Sequence, residues 1–185
     1  MDHLSRPPKL TRTHKSWLTF TKHVAPVRLP SSRELVTVGD TLYLLNAQRA
    51  VIWKWDVGNG QDILDRPIVN SQGIIYGIAL DGIAFSLDLN GNERWKIRMN
   101  GSSYFTRIKG YGNDHYLLFS HKDRVYRDPD DPDVETVSLC KDKEAIGWAT
   151  IPYRAALRIQ GKRIFVTTRS KQRPQTKEVR FFRGQ

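Results

Sequence analysis

Apolar residues come along this chain in short runs punctuated by turn residues, most clearly between residues 70 and 97. There NSQGIIYGIALDGIAFSLDLNGNERWKI divides into runs at 73–80, 83–89 and 93–97, separated by Asp81-Gly82 and Asn90-Gly91. Asp-Gly and Asn-Gly between apolar runs are strong hairpin signals, because both central residues of a type I′ turn need positive φ. The stretch predicts a three-stranded antiparallel meander. Similar runs predict strands at 34–38, 42–46 and 51–57, with Gly39-Asp40 turning the first pair. Further strands are expected at 66–70, where Pro67 sits at the strand start and its missing donor is tolerated, and at 104–109, 115–120, 124–127 and 134–139. Residues 145–152, with Trp148, read as a connector, and 155–159, 162–168 and 178–182 as a last set of strands.

The runs repeat. Residues 40–60 superpose on 72–91, placing Tyr43 on Tyr76, Trp55-Asp56 on Leu87-Asp88 and Asn59-Gly60 on Asn90-Gly91. A third copy at 115–128 puts Tyr116 on Tyr76, and a fourth at 163–182 contributes Phe165. The anchors Tyr43, Tyr76, Tyr116 and Phe165 are 33, 40 and 49 residues apart. Repeats of about 40 to 50 residues holding several short strands signify a propeller. The expected fold is all-β, a small β-propeller of about four blades near 33–62, 63–102, 103–144 and 153–183, after a basic extended arm at 1–30. The last blade has three strands, and a strand at 16–24 (SWLTFTKHV) is the candidate to close the ring along the open edge of 178–182. The competing arrangement is a partial propeller completed by a second copy or another chain, and a β-sandwich is the rival architecture.

The runs GIIYGIALDGIAFSLDLNGNERWKI and AVIWKWDVGNG resemble β-propeller repeats of the quinoprotein (PQQ-like) type, with a strand ending in Leu-Asp, an Asn-Gly turn and a Trp on the next strand. The segment IWKWDVGNG is also similar to the Trp-Asp strand ends of WD-repeat propellers. The resemblance covers residues 35–100 well and extends less closely to 140. It implies an architecture and not a chemistry, since propellers host many functions. Quinoprotein dehydrogenases hold their cofactor with a much larger ring, and no paired carboxylate here supports that activity. No cofactor is expected.

Charge adds the next constraint. The net charge of +11 is concentrated at the two ends: residues 1–30 carry +5, residues 154–185 carry +9, and the 123 residues between carry −3. Such asymmetry points to nucleic acid or an acidic protein surface as partner. The length of 185 residues suffices for one domain with a real core, and five Trp, seven Tyr and seven Phe suit pleated packing. No run approaches the length of a membrane span, the N-terminus lacks an apolar signal region, and the lone Cys140 implies no oxidising compartment. A cytoplasmic setting, or one within a virus particle, is expected.

Candidate chemistry is sparse. Phosphate-loop, zinc-protease and nucleophile-elbow motifs are missing from the sequence. His115 and His121 flank one strand with Asp114 and Asp123 nearby, and read as polar residues at strand ends rather than a metal site. The DPDDPD tract at 128–133 lacks the Gly and closing Glu of a calcium loop and reads as a solvated turn. Cys140 reads as a small buried hydrophobe. No catalytic, cofactor or metal residues are expected. The residues expected to bind a partner are Arg6, Lys9, Arg12 and Lys15 in the arm, and Arg154, Arg158, Lys162, Arg163, Arg169, Lys171, Arg173 and Lys177 in the last blade. The function expected is a non-enzymatic scaffold for protein–protein interactions within a larger assembly, such as a multi-subunit or phage particle. The alternative is nucleic-acid binding through the same basic ends, with Tyr153, Phe165, Phe181 and Phe182 as stacking platforms; occupying strand positions, these aromatics read rather as core of the last blade. A second copy of the chain is a further candidate partner.

Overall fold

The structure is a computed structural model, and it describes residues 24–58, 60–98, 103–122, 133–153, 155–161, 163–168 and 175–182. These form four antiparallel sheets and no α-helix. Sheet 1 runs β1 (Val27–Arg28), β2 (Glu34–Val38), β3 (Thr41–Leu45) and β4 (Val51–Asp56); sheet 2 runs β5 (Ile68–Val69), β6 (Ile75–Ala79), β7 (Ile83–Leu87) and β8 (Glu93–Arg98). Sheet 3 is β9 (Ser103–Tyr111), β10 (His115–Lys122), β11 (Val134–Lys141) and β12 (Glu144–Pro152). Sheet 4 has three strands, β13 (Ala156–Gln160), β14 (Arg163–Thr168) and β15 (Gln175–Val179). Strand order follows chain order in every sheet, so each is a meander built from local hairpins.

The core is three apolar seams between successive sheets. Leu35, Leu42 and Leu44 of sheet 1 meet Ile75, Phe85 and Leu87 of sheet 2. Tyr76, Ile78 and Ala84 of sheet 2 meet Tyr116, Leu118 and Cys140 of sheet 3. Leu117, Phe119 and Val137 of sheet 3 meet Ile164 and Val166 of sheet 4. Sheet 2 is thus covered on both sides, which is why IYGIA and IAFSL are buried at every position instead of alternating. Among the described residues, none of these seams joins sheet 4 to sheet 1.

Turn chemistry explains the hairpins, with one correction. Asp81 and Gly82 both have positive φ (58° and 67°), as the type I′ reading requires. The Asn90-Gly91 turn is different. Asp88 accepts from the N–H groups of Asn90 and Asn92 and closes a five-residue turn in which Gly91, at φ 86°, takes the left-handed position. Asn46 and Asn70 build the same turn, each accepting from the second and fourth N–H ahead, with Arg49 and Gly73 at positive φ. A short side-chain oxygen satisfies backbone donors that the tight turn leaves without strand partners.

This geometry resets the repeat register. The β3–β4 turn at 46–50 matches the β7–β8 turn at 88–92, so Tyr43 corresponds to Phe85 and Trp53 to Trp95. The third strands of sheets 1 to 3 each carry a bulge just before the turn into the fourth, at Leu44/Leu45, Ser86/Leu87 and Leu139/Cys140. The rows Leu35–Leu44–Trp53, Tyr76–Ser86–Trp95 and Leu117–Leu139–Gly147 are therefore equivalent. Tyr76 corresponds to Leu117 rather than to Tyr116. The two tyrosines instead stack across a seam, with centroids 4.5 Å apart.

In two of these rows the Trp grips the following sheet. Trp53 donates its indole N–H to the carbonyl of Leu89 (3.0 Å), in the 88–92 turn of sheet 2. Trp95 donates to the Asp142 carboxylate (2.9 Å), in the corresponding turn of sheet 3. Gly91 is obligatory beneath Trp53, because a Cβ there would lie 2.8 Å from the ring. The third row has Gly147 in place of Trp, and the C-terminal segment fills the gap. Phe182 forms an antiparallel bridge with Trp148 (N–H to O distances of 3.0 and 2.8 Å), while Phe181 packs into the seam beside Gly147.

Two boundary expectations change accordingly. Residues 145–152 belong to β12 and not to a connector, since Gly147, Ala149 and Ile151 alternate as its buried side. The last strand is Gln175–Val179 rather than 178–182, because the chain then crosses to the edge of sheet 3. The strands expected at 16–24 and 124–127 lie outside the described residues.

Candidate interaction surface

Sheet 4 carries those expected partner-binding residues that the structure describes. Directly paired residues of an antiparallel sheet share a face. The pairings Arg158–Phe165–Glu178 and Gln160–Arg163 therefore put Arg158 and Arg163 on one side, around Phe165, and the side chains of both arginines are exposed. This is the forward face, turned away from sheet 3; the opposite face packs Leu157, Ile164 and Val166 into the third seam. Lys177 pairs with Val166 and so falls on the seam side, at the outer strand. The structure thus brings Arg158 and Arg163 together and separates Lys177 from them. Arg6, Lys9, Arg12, Lys15, Arg154, Lys162, Arg169, Lys171 and Arg173 lie outside the described residues.

The forward faces of the sheets differ in kind. Sheets 1 to 3 present Leu35, Leu44, Trp53, Tyr76, Trp95, Leu117 and Leu139 to the next sheet. Sheet 4 presents Arg158, Gln160, Arg163, Thr167, Thr176 and Glu178 around the half-buried Phe165. Arg163 and Glu178 stand 3.8 Å apart in an open setting, where such a pair contributes little.

A buried polar network fixes how sheet 4 leaves sheet 3. Glu135 is 0% exposed and accepts from Arg107 and from the Thr106 hydroxyl (2.6 Å). Arg107 also donates to the carbonyl of Ala155, just ahead of β13 (3.2 Å), and lies over the Phe119 ring. The network compensates a buried carboxylate that would otherwise be costly. Beside it His121, 2% exposed, bonds Asp133 (3.0 Å) and packs on Tyr153 (4.2 Å), whose N–H donates to the Asp133 carbonyl. His115 bonds Asp114 at the far end of β10, six residues and about 20 Å away. The two histidines therefore serve separate hydrogen-bonded pairs with aspartates. Cys140 is buried against Tyr116, and burial pushes its thiol up to about 11.

Of the four candidate stacking aromatics, Tyr153 and Phe181 are half-buried, against His121 and in the third seam, Phe165 is half-buried on the forward face, and Phe182 is exposed beside Trp148, with centroids 5.2 Å apart. Sequence reasoning missed the Trp148–Phe182 pair. The available signal was Gly147 inside a strand, since a strand glycine marks a site where another backbone approaches closely.

Sheets of local hairpins stacked through successive seams define a propeller-type all-β protein, and the comparisons agree on that fold. A protein of unknown function from Bacteroides caccae matches over 82% of this chain and 58% of its own, at 11% identity and a TM-score of 0.54. The C-terminal WD40 domain of Sif2 matches over 82% of this chain and 42% of its own, at 11% identity and a TM-score of 0.57. BBS1N, solved in complex with ARL6DN, matches over 78% and 45%, at 15% identity and a TM-score of 0.50. The chain spans about half the length of the solved structures it resembles. No protein-family model matches the sequence, and no curated protein sequence matches it. Among the described residues, no helix is long and apolar enough to cross a membrane.

Proposed function

We propose that this protein is a non-enzymatic propeller-type scaffold that binds an acidic protein partner through the forward face of sheet 4, within a multi-subunit assembly such as a phage particle. The observation that carries the reading is the change in that face. Three sheets turn apolar rows toward a successor, and the fourth turns Arg158 and Arg163 outward around Phe165. Apolar forward faces extend a stack, whereas a charged one suits a surface that meets water or a charged partner. The propeller-type fold is compatible with this role, and BBS1N, whose sheets resemble these, was solved with a protein partner.

The test is a paired capture from lysate with the wild-type chain and the double variant Arg158→Glu/Arg163→Glu. Wild-type chain should retain an acidic protein at moderate salt, and the variant should lose it at least tenfold while melting unchanged. Equal capture by the two proteins would remove sheet 4 as the partner surface.

Nucleic-acid binding is the second reading, favoured by the aromatic ring of Phe165 set among guanidinium groups. It predicts binding of single-stranded DNA whose affinity falls with salt at a log–log slope of about −0.7 per phosphate contacted. A flat salt response excludes it.

A further inference from the structure

Among the described residues, sheet 4 has no outer strand equivalent to β4, β8 and β12 of the other three sheets. Residues 180–182 do not supply it, because Phe182 is bonded to the edge of sheet 3. Among the described residues no strand pairs with the outer edge of β15. An open edge offers a row of N–H and C=O groups to any extended chain of suitable register. We propose that this edge is a strand-addition site for an extended acidic segment of a partner protein. The proposal rests on the reading of sheet 4 as the partner surface and adds how the partner is held.

Charge selects the occupant. The edge strand carries Lys177 on its seam side and is followed by the exposed Arg180, and Arg158 and Arg163 stand on the forward face of the same sheet. Lys177 has no ion-pair partner among the described residues, and Glu178 already lies beside Arg163. Residues 154–185 carry a net +9, and a strand added to β15 would lie beside Lys177 on the seam side, with Thr176 and Glu178 beside it on the forward side and Arg163 one strand further in. The chain's own candidate strand at 16–24 fits less well, since its one full charge, on Lys22, has the same sign as Lys177 and like charges across a strand pair repel. The outer strands β4 and β8, six residues each, set the expected length.

The experiment uses the full chain and a ten-residue alternating Glu-Val peptide, with an alternating Lys-Val peptide as control. The Glu-Val peptide should bind at least tenfold tighter and slow hydrogen exchange of the 175–179 amides at least tenfold, leaving those of β4 and β8 unchanged. Lys177→Glu, an exposed change that leaves the fold intact, should weaken it at least fivefold. Equal binding of the two peptides, or binding without protection at 175–179, overturns strand addition. So does an edge as slow to exchange in the free chain as β14, which would mean that the chain's own arm or a second copy already covers it. If Arg158→Glu/Arg163→Glu still abolishes partner capture while 175–179 stay unprotected, the forward-face reading stands and the edge mode alone fails.

Discussion

Single residues decide where the sheets lock together. Gly147 occupies the place that Trp53 and Trp95 hold in their own sheets, and a Cβ there would lie 3.0 Å from the Phe182 carbonyl and 3.3 Å from Phe181 Cβ. Gly147→Val should therefore cost about 1–3 kcal/mol, in the range for overpacking, and scanning calorimetry should show a melting point lower by several degrees. Cys140, Tyr76 and Tyr116 share one seam, and burial is the main cause raising all three acid groups. A raised acid keeps its proton longer in the folded chain than in the unfolded one. Its contribution is whole below the ordinary thiol range and fades as pH rises through about 11 for Cys140. Urea unfolding should show Cys140 alone accounting for a loss of about 2 kcal/mol between roughly pH 8 and pH 10.5. Cys140→Ala should make the alkaline decline shallower by that amount.

At the level of elements, legibility followed side-chain type. Strand β2 was readable to the residue, and β6 and β7 nearly so, because their apolar runs are bounded by Gly39-Asp40 and Asp81-Gly82. Strand β12 was not, since its buried side is Gly147, Ala149 and Ile151, and two of these are too small to register as a hydrophobic stripe. The 46–50 turn escaped for the converse reason. It contains no glycine and sets Arg49 at φ 61°, so the Asx bond that defines it is invisible to a search for Asn-Gly pairs. That one omission shifted the first repeat by a strand. Residues 180–185 are expected to fasten sheet 4. A chain ending at Val179 should exchange amide hydrogens faster throughout β13–β15, while sheets 1 and 2 keep their protection. Uniform loosening of all four sheets would instead mark the segment as part of a single cooperative core.

On the scale of the whole molecule, the propeller-type stack was legible because turn spacing and strand length agreed even where the repeat register did not. The proposed partner surface was only half legible: clustering of charge at the C-terminal end pointed to sheet 4, but composition is blind to faces. Pairing register separated Arg158 and Arg163 from Lys177, and no count of basic residues reports that. Among the described residues each apolar seam joins neighbouring sheets, so stability should propagate from seam to seam. Glu135→Ala, which strands the Arg107 guanidinium between sheets 3 and 4, should cost about 3–5 kcal/mol. Limited proteolysis should then release the C-terminal third first.

The bridge between Trp148 and Phe182 has a mechanical meaning as well. It closes a loop of chain that contains all of β13, β14 and β15. Tension applied beyond Phe182 is carried across two hydrogen bonds straight into β12, so the enclosed strands feel no load until that bridge gives way. A protein tethered through its carboxyl end would thus hold sheet 4 slack while the tether is taut.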